Sequence, residues 1–545
     1  MAKLLAEIPL TRPKDAAFGH LATPIAFSLA KPLKQPPQAI AGEIANALKD
    51  LEIFAKVEAA GGYVNFTLSD LFLDRETNAA LKLGANFAKS STKTSEKTAQ
   101  NSIGNNVTYE KILLEFVSAN PTGPLHIGHA RGAFYGDALL RLARHIGYNV
   151  TAEYYINDAG NQIELLGRSI YFRARSELLG VKEDFPEECY QGEYILDLAK
   201  DALARFGKAA FTNGADLAEL SLWAKDKMLE WIKRALKDAG VEFDNFVSER
   251  ALYDRWNETR AKLEANDALY TDQDGKVWLK TAEKGDAKDR VVVRENGAPT
   301  YLAGDIIYHG DKYSRGYDRY INIWGADHHG YIARVKAAVE YLGGDSARLE
   351  VLLSQMVALL KGGEPYKMSK RSGNFVTMEE VGQETGYDAL RFVFLTKRAD
   401  THLEFDIADL KREDSANPVY YVNYAHARIC SLFEKRGFAL DGFSDFAKIA
   451  DEGRAELNGL ADDAKDLLWA ALTIGEAINE AFKARQPQLL TDFLYKLAVK
   501  THKFYADNRV IGNENEAKFA KILALVCMVI RLGLSLLGIT AKTRM

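Results

Sequence analysis

Two histidines spaced three residues apart are the first side chains whose arrangement suggests chemistry. His126 and His129 flank Ile127 and Gly128, and they follow a short apolar run and a loop rich in proline and glycine. A helix beginning here would direct its unpaired N–H groups and the positive end of its dipole at an anion such as a triphosphate. Imidazoles at this spacing share a helix face and can donate hydrogen bonds to phosphate oxygens as negative charge develops. A four-residue pattern can arise by chance, but the strand–loop–helix context favours phosphate binding.

A second candidate is the cationic segment Lys367-Met368-Ser369-Lys370, which Gly362 and Gly363 precede. A loop of this composition can close on a departing pyrophosphate and stabilise the transition state more than the bound triphosphate. By itself, such a segment is more often a solvated basic loop. Together with the histidine motif far upstream, it predicts in-line attack on an α-phosphate with pyrophosphate as the leaving group.

A β–loop–α–β pattern must position the histidines. Residues 112–117 are a nearly continuous apolar run, as in a strand buried on both faces. The turn-forming residues 118–124 lead into a helix predicted over 126–145, and 150–156 have the pattern of the next strand. The β/α alternation resumes at 320–325. The pattern predicts an α/β Rossmann-type parallel sheet with a largely helical insertion at about 160–290.

Length and composition limit the possible classes of protein. A chain of 545 residues is too long for one core, so we expect roughly three or four domains. The three cysteines lie far apart in sequence without metal-ligand spacing, so we expect no disulfide framework, no structural zinc and a reducing compartment. The start lacks the pattern of a signal peptide, and Arg531 interrupts the apolar residues 522–539, which indicates a buried helix. We therefore expect a soluble, cytoplasmic protein with no membrane partner.

The pattern along the chain predicts four segments. Residues 1–85 have the pattern of a small α+β domain, and residues 86–108 have the composition of a linker. Residues 109–385 carry the parallel-sheet domain, including the insertion and the cationic loop at 367–370. Helices predominate after about residue 375, and residues 418–545 are nearly all amphipathic helix, which predicts an all-α domain over 386–545.

The sequence resembles a known family. The motifs HIGH at 126–129 and KMSK at 367–370 resemble those of class I aminoacyl-tRNA synthetases, and EFVSANPTGPL at 115–125 with DALR at 388–391 narrows the resemblance to arginyl-tRNA synthetases. The resemblance covers nearly the full length. It implies ligation of L-arginine to tRNA(Arg) through an arginyl-adenylate, with ATP and Mg²⁺ as the nucleotide substrate complex. It also implies that the N-terminal domain contacts the tRNA core and that the C-terminal helices bind the anticodon. We expect a monomer.

The resemblance also assigns site residues. It implies catalytic roles for His126, His129, Lys367 and Lys370, and further ATP contacts at Pro121, Thr122, Gly123, Gly128, Met368 and Ser369. A guanidinium group needs carboxylates at the bottom of its pocket, and the resemblance places Tyr301 and Asp305 there, with Glu115 close by. A solvated or capping role is as common for any one of these acids alone. Ser118, Ala119, Asn120, His129 and Asp327 resemble the residues that bind the substrate's α-amino and carboxylate groups, although members often have glutamine where Asp327 stands.

The tRNA contacts are expected in the C-terminal helices. Residues 420–428 form an aromatic–polar helical run, for which buried packing and base stacking are equally expected, so Tyr420, Asn423 and Tyr424 are candidates. The net charge of −5 hides opposite local charges: residues 441–480 hold 3 Lys+Arg against 10 Asp+Glu, and residues 483–545 hold 11 against 4. We expect Lys496, Lys500 and Arg509 to follow an RNA backbone.

Three other functions share some of these features. A cysteinyl-tRNA synthetase would need a zinc site, which this sequence lacks. A small nucleotidyltransferase would share the histidine motif but not the long helical C-terminal segment. A catalytically silent relative could bind tRNA, but it would not need both motifs intact. Arginine-dependent exchange of pyrophosphate into ATP, with tRNA present, separates these alternatives.

Overall fold

The computed structural model describes residues 8–13, 15–89, 110–212, 216–366, 376–452 and 456–545. Lys367, Met368, Ser369 and Lys370 of the KMSK motif, and most of the linker expected at 86–108, lie outside the described residues.

The described secondary structure mixes strands and helices as far as β14 and is helical after it. The strands are β1 Leu21–Thr23, β2 Phe54–Ala60, β3 Tyr63–Leu68, β4 Lys111–Glu115, β5 Asn149–Ile156, β6 Asn245–Ser248, β7 Leu269–Thr271, β8 Val277–Leu279, β9 Arg290–Val293, β10 Arg319–Gly325, β11 Leu349–Ser354, β12 Val357–Lys361, β13 Glu364–Pro365 and β14 Leu403–Asp406. The α-helices are α1 Ile25–Leu33, α2 Pro37–Leu48, α3 Asp70–Leu83, α4 Ile127–His145, α5 Asn161–Arg173, α6 Glu193–Phe206, α7 Lys208–Thr212, α8 Leu217–Asp238, α9 Glu249–Leu252, α10 Trp256–Ala265, α11 Tyr301–Ser314, α12 Ile332–Tyr341, α13 Met378–Thr385, α14 Tyr387–Leu395, α15 Ile407–Leu410, α16 Pro418–Lys435, α17 Phe443–Glu452, α18 Asp462–Leu472, α19 Ile474–Lys483, α20 Gln488–Asp507 and α21 Glu516–Leu536.

The N-terminal unit packs two helices on an antiparallel sheet. Its strand order is β1-β3-β2. Alternate residues of β3, including Val64 and Phe66, join a small core with Ile25 of α1 and Ile40 of α2. The period-two pattern of β3 places these residues on one face, so the α+β prediction for this segment is confirmed.

The central sheet has five parallel strands in the order β11-β10-β4-β5-β6. Ile112 and Leu114 of β4 pack in one core with residues of α4, and Leu113 packs on the opposite face with Val335 of α12. Helices on both faces explain the continuous apolar run of β4. The Rossmann-type parallel sheet predicted from the sequence is confirmed.

The segment between β5 and β10 combines helices with strands that belong to two different sheets. Helices α5, α6 and α8 enclose their own apolar cluster, and β7, β8 and β9 form a separate antiparallel sheet. Strand β6, however, pairs with β5 and extends the central sheet. It lies inside the segment for which the sequence indicates an insertion, and its four residues are too few to show a period.

The C-terminal helices form a bundle around α21. This helix is the one among the described residues that is long and apolar enough to cross a membrane, and 94% of its most apolar window is buried in the protein. It is therefore the central helix of a core, as Lys521 and Arg531 in its sequence indicate.

One buried guanidinium connects the bundle to the sheet domain. Arg391 of α14 pairs with Asp137 of α4, and both side chains are almost fully buried. Arg391 also donates to the carbonyl oxygens of Ala239, at 2.7 Å, and Leu537, at 3.3 Å. These contacts join α4 to the ends of α8 and α21.

Candidate active site

The first turn of α4 fixes the two histidines of the HIGH motif. The Nδ1 atom of His126 accepts from the Gly128 N–H at 3.1 Å, and the Nδ1 atom of His129 accepts from the His126 N–H at 3.2 Å. The two rings stack with centroids 3.6 Å apart. Because each Nδ1 accepts a backbone N–H, each neutral ring carries its proton on Nε2. The helix cap thus turns both imidazoles into Nε2–H donors.

The chain that follows the KMSK motif is hydrogen-bonded to the HIGH motif. The Ile127 N–H donates to the Val376 carbonyl at 3.1 Å, and the Met378 N–H donates to the Leu125 carbonyl at 2.8 Å. Thr377 and Glu380 then form the capping box of α13. These contacts tie the residues immediately after 367–375 to the start of α4.

Two strained residues follow β4. Val117 has φ 67° and Ser118 has φ 41°, in the left-handed region that non-glycine residues rarely adopt. The Ser118 Oγ donates to Glu115 Oε1 at 3.0 Å and accepts from the Tyr155 N–H at 3.1 Å. Such backbone strain persists only where the surrounding contacts over-determine it, and it is frequent at functional sites.

Tyrosines of neighbouring elements hold the rest of this loop. The Tyr154 hydroxyl donates to the Ala119 carbonyl at 2.7 Å, and the Tyr194 hydroxyl donates to the Thr122 carbonyl at 2.9 Å. The Asn120 side-chain amide donates to Gln162 Oε1 at 2.7 Å. The loop is therefore shaped before any substrate binds.

Two acidic side chains lie close together where α9 packs against α11. Glu249 is 2% exposed; its Oε1 accepts from the Tyr253 hydroxyl at 3.2 Å, and its Oε2 is buried with no hydrogen-bond partner in the described residues. Burial raises the pKa of Glu249 to about 7. Burial, followed by the charges of Glu249 and Glu115, raises the pKa of Asp305 to about 8. Among the described residues, no lysine or arginine forms an ion pair with either carboxyl.

The remaining acids differ in their surroundings. Glu115 is buried, and its second oxygen pairs with Lys312. Asp327 lies in the 3₁₀ turn Ala326–Tyr331 after β10 with 83% of its side chain exposed, and its Oδ2 lies 3.7 Å from the His328 Nε2. Tyr301 is exposed at the start of α11 and lies against Gly160.

An aromatic surface covers α16 and α20. Tyr420 and Tyr424 are parallel with ring centroids 6.2 Å apart, Tyr424 stacks with His502 at 5.4 Å, and Tyr421 contacts Tyr495 at 5.4 Å. Tyr424 and Tyr495 are exposed. These five rings are called the aromatic face below.

A cleft of about 520 Å³ lies beside the aromatic face. Its lining includes Tyr420, Asn423 and four cationic side chains, Lys411, Arg412, Lys542 and Arg544. Asn423 is buried, and its Oδ1 accepts from the Lys542 N–H at 2.8 Å.

The basic residues expected to contact RNA have two kinds of surroundings. Lys496 and Arg509 are exposed and form no ion pair within the described residues, whereas Lys500 pairs with Asp466.

Two of the three cysteines meet in the bundle. Cys430 Sγ and Cys527 Sγ lie 3.7 Å apart, and His426 completes a buried cluster whose potential ligand atoms all lie within 4.8 Å of one another. Sequence spacing gives no sign of this cluster, because Cys527 is distant in the chain from His426 and Cys430. The fold, through the packing of α16 on α21, brings together residues that are distant in the chain.

Comparisons with known proteins agree over almost the whole chain. Family models match as the "Arginyl tRNA synthetase N terminal domain" over residues 2–68, "tRNA synthetases class I (R), catalytic domain" over 93–410 and "DALR anticodon binding domain" over 422–545. The arginine–tRNA ligase of Nitratiruptor sp. is 56% identical over 99% of this chain and 97% of its own length, and that of Wolinella succinogenes is 52% identical with the same coverage.

The chain belongs to the arginyl-tRNA synthetase family.

Solved structures share the fold of this arginyl-tRNA synthetase. A chain from Campylobacter jejuni has a TM-score of 0.80 and 50% identity, covering 88% of this chain and 100% of its own. The arginyl-tRNA synthetase of Thermus thermophilus has a TM-score of 0.72 at 21% identity, covering 99% and 96%. The likeness therefore extends over all three parts of the molecule.

The structure brings most of the predicted site residues to one edge of the sheet. The loop with Ser118, Ala119 and Asn120 follows β4, and the HIGH motif follows the loop. Sequence reasoning missed Glu249, which follows β6. Glu249 stands directly after β6, but β6 has no recognisable sequence pattern, so the sequence does not show that an acid lies at the end of a strand there.

Proposed function

We propose that the carboxyl edge of the central sheet is where this arginyl-tRNA synthetase performs its reaction. The chain ligates L-arginine to tRNA for protein synthesis, and ATP is cleaved to AMP and diphosphate. The observation that carries the site is the pair of carboxyls of Asp305 and Glu249. Glu249 is buried and Asp305 is half-buried, and neither forms an ion pair within the described residues, so together they offer a place for a guanidinium group.

The nucleotide half of the site is the HIGH helix and the loop before it. The N–H groups at the start of α4 and the Nε2–H groups of His126 and His129 donate to ATP phosphates. Pro121, Thr122, Gly123 and Gly128 line the nucleotide. A Cβ on Gly128 would lie 2.9 Å from the His126 ring, so only glycine leaves the cap intact.

The KMSK residues complete the nucleotide site. Val376, the first described residue after the motif, accepts from the Ile127 N–H at the start of α4. Lys367 and Lys370 hold the β- and γ-phosphates, with Met368 and Ser369 against the nucleotide. Mg²⁺ enters bound to these phosphates as part of the substrate complex.

The arginine half of the site recognises both ends of the amino acid. Tyr301, Asp305 and Glu249 face the guanidinium group, and Glu115 lies beneath them. Ser118, Ala119, Asn120 and His129 hold the α-amino and carboxylate groups, and the exposed Asp327 closes on the amino group from the opposite side.

The chemistry then depends on positioning and charge. The arginine carboxylate attacks the α-phosphate, the bond to the β-phosphate breaks, and pyrophosphate leaves. The terminal ribose 2′-OH of the tRNA attacks the adenylate carbonyl and releases AMP. No side chain needs to form a covalent bond, because oriented reactants and preorganised donors supply the rate enhancement.

The tRNA substrate binds the aromatic face and the adjacent cleft. Tyr420 and Tyr424 offer ring surfaces for bases, and Asn423 shapes the cleft through its contact with Lys542. Lys496, Arg509 and, after exchange from Asp466, Lys500 contact phosphates. The N-terminal unit contacts the tRNA core.

The remaining proposals concern the domain boundaries, the oligomeric state and the cellular location of the protein. We divide the chain into 1–85, a linker at 86–108, a catalytic domain at 109–385 with an insertion at about 160–290, and an anticodon-binding domain at 386–545. The protein acts as a cytoplasmic monomer that needs no membrane.

Zinc is not required. The His426 Nδ1 lies 2.8 Å from the Lys542 carbonyl, and its Nε2 accepts from Arg531 at 3.3 Å. Both ring nitrogens are thus engaged, and the adjacent guanidinium repels a cation.

Aminoacylation of a tRNA(Arg) transcript by the full chain tests the proposal. With ATP and Mg²⁺, labelled arginine is expected on the tRNA, and citrulline, its neutral isostere, is rejected because it leaves the pocket carboxylates unpaired. Charging of citrulline at a comparable rate, or no charging by arginine, would overturn the site described here.

A further inference from the structure

Helix α11 neutralises two buried carboxylates on adjacent strands. Glu115 of β4 and Glu153 of β5 are register partners in the sheet. Lys312 pairs with Glu115, and Arg315 pairs with both oxygens of Glu153 at 2.5 and 2.8 Å. Of these two pairs, the one formed by Lys312 leads directly to the substrate loop.

Lys312 has no access to solvent. Its side chain is 0% exposed, and its ammonium contacts Glu115 Oε2, lies 3.0 Å from Asn322 Oδ1 and lies 4.3 Å from the centre of the Tyr308 ring. An ammonium buried this deeply is tolerated only because each donor direction has a partner.

Glu115 links Lys312 to the loop that follows β4. Its other oxygen, Oε1, accepts from the Ser118 Oγ at 3.0 Å, and the same hydroxyl accepts from the Tyr155 N–H. Ser118 has a left-handed backbone, and its side-chain contacts, together with the donation of its N–H to the Phe116 carbonyl at 3.0 Å, hold the strained turn.

We propose that Lys312 is a positioning residue for arginine binding. It holds Glu115 as a neutralised pair that orients Ser118, and it leaves Asp305 and Glu249 as the two carboxyls that bind the guanidinium group. This inference rests on the proposed function of the pocket. The inference predicts that loss of the Lys312 charge weakens arginine binding. Simple repulsion between the Lys312 ammonium and the guanidinium group of arginine would predict the opposite.

Arginine KM and ATP KM, measured by ATP–pyrophosphate exchange with tRNA present, test this role. Lys312→Met is expected to raise arginine KM about tenfold or more, the size of a lost charged hydrogen bond, and to change ATP KM less than twofold. Lys312→Arg keeps the charge and is expected to restore most of the affinity.

Lys521→Met is the matched control, because Lys521 is also a buried lysine. It pairs with Asp74 at 2.7 Å, but it lies between the N-terminal unit and the bundle. Its arginine KM should stay within twofold of wild type.

The double variant Lys312→Met/Glu115→Gln removes both charges together and avoids an orphan buried charge that could unfold the protein. If Lys312 acts through Glu115, the double variant has the same arginine KM as Glu115→Gln alone. Unchanged or tighter arginine binding in Lys312→Met, or additive effects in the double variant, would overturn the inference. Absence of arginine-dependent exchange in the wild-type protein would instead overturn the proposed function.

Discussion

The cap of α4 determines which atoms the two histidines present. Their Nδ1 atoms accept from backbone N–H groups, so in the neutral state each ring carries its proton on Nε2 and can act as a donor only through that atom. Donors that need no reorganisation stabilise developing phosphate charge more than mobile ones. The sequence indicates the role of the pair, but the tautomer follows only from the cap geometry.

Replacement of one histidine tests its donor role. His129→Ala is expected to lower the rate of adenylate formation by about 10²–10³-fold, the effect of removing one preorganised donor. Single-turnover formation of arginyl-adenylate measures it, with the melting temperature as a control for the lost cap contact. A loss of tenfold or less would remove His129 from this role.

At the scale of elements, Arg391 is the buried ion-pair contact between α4 and the C-terminal helices, beside the apolar core that they share. Its guanidinium pairs with Asp137 and donates to the ends of two other helices. Truncation would leave Asp137 buried with only Arg141 as a partner.

Chemical denaturation of two variants measures this contact. Arg391→Met is expected to lower the free energy of unfolding by about 3–5 kcal/mol, because breaking a buried pair strands a charge. Arg141→Met removes a partly exposed partner of the same Asp137 and is expected to cost about 1 kcal/mol or less. Equal losses in the two variants would contradict the role of Arg391.

A second prediction at this scale concerns the aromatic face on α16 and α20. Tyr424→Ala is expected to raise the Kd for tRNA(Arg) by about 5- to 100-fold, since stacking on one aromatic ring contributes about 1–3 kcal/mol per base. Tyr424→Phe keeps the ring and should bind like wild type in a filter-binding assay, while arginine KM is unchanged in both. A normal Kd for Tyr424→Ala would exclude this face from the tRNA site.

How far the sequence predicts an element depends on its length and burial. Strand β4 can be predicted because both of its faces are buried, which gives a continuous apolar run. Helix α4 can be predicted because it is long enough to show a helical pattern over several turns. Strand β6 and strand β14 have four residues each, and they are defined by their neighbours in the sheets rather than by a pattern. Glu249 was missed with β6, and the Cys430–Cys527 contact was missed because it depends on helix packing.

At the scale of the molecule, charge is divided between two tasks. Residues 111–440 carry a net negative charge, which suits a pocket for a cationic amino acid. Of the C-terminal residues, 441–480 are acidic and 483–545 are basic. The net charge of the whole chain therefore indicates little about whether it binds RNA, whereas the charge of each segment indicates more.

Salt dependence of tRNA binding tests the basic segment. Lys496 is exposed without an ion pair, so Lys496→Ala is expected to reduce the slope of log K against log salt by about 0.7–0.9, the value for one phosphate contact. Binding titrations at several salt concentrations measure the slope. An unchanged slope would place Lys496 outside the RNA path.

Proton release on arginine binding tests the central claim, that Asp305 and Glu249 form the guanidinium site. The pKa values of about 8 for Asp305 and about 7 for Glu249 mean that the empty pocket holds protons near neutral pH. A guanidinium group favours the carboxylates, so binding releases protons and tightens as pH rises from 6 to 8. Calorimetry in two buffers of different ionisation enthalpy should show this release, with weaker binding and less release in Asp305→Asn. Arginine binding with no proton release and the same Kd in wild type and Asp305→Asn across this range would contradict the assignment.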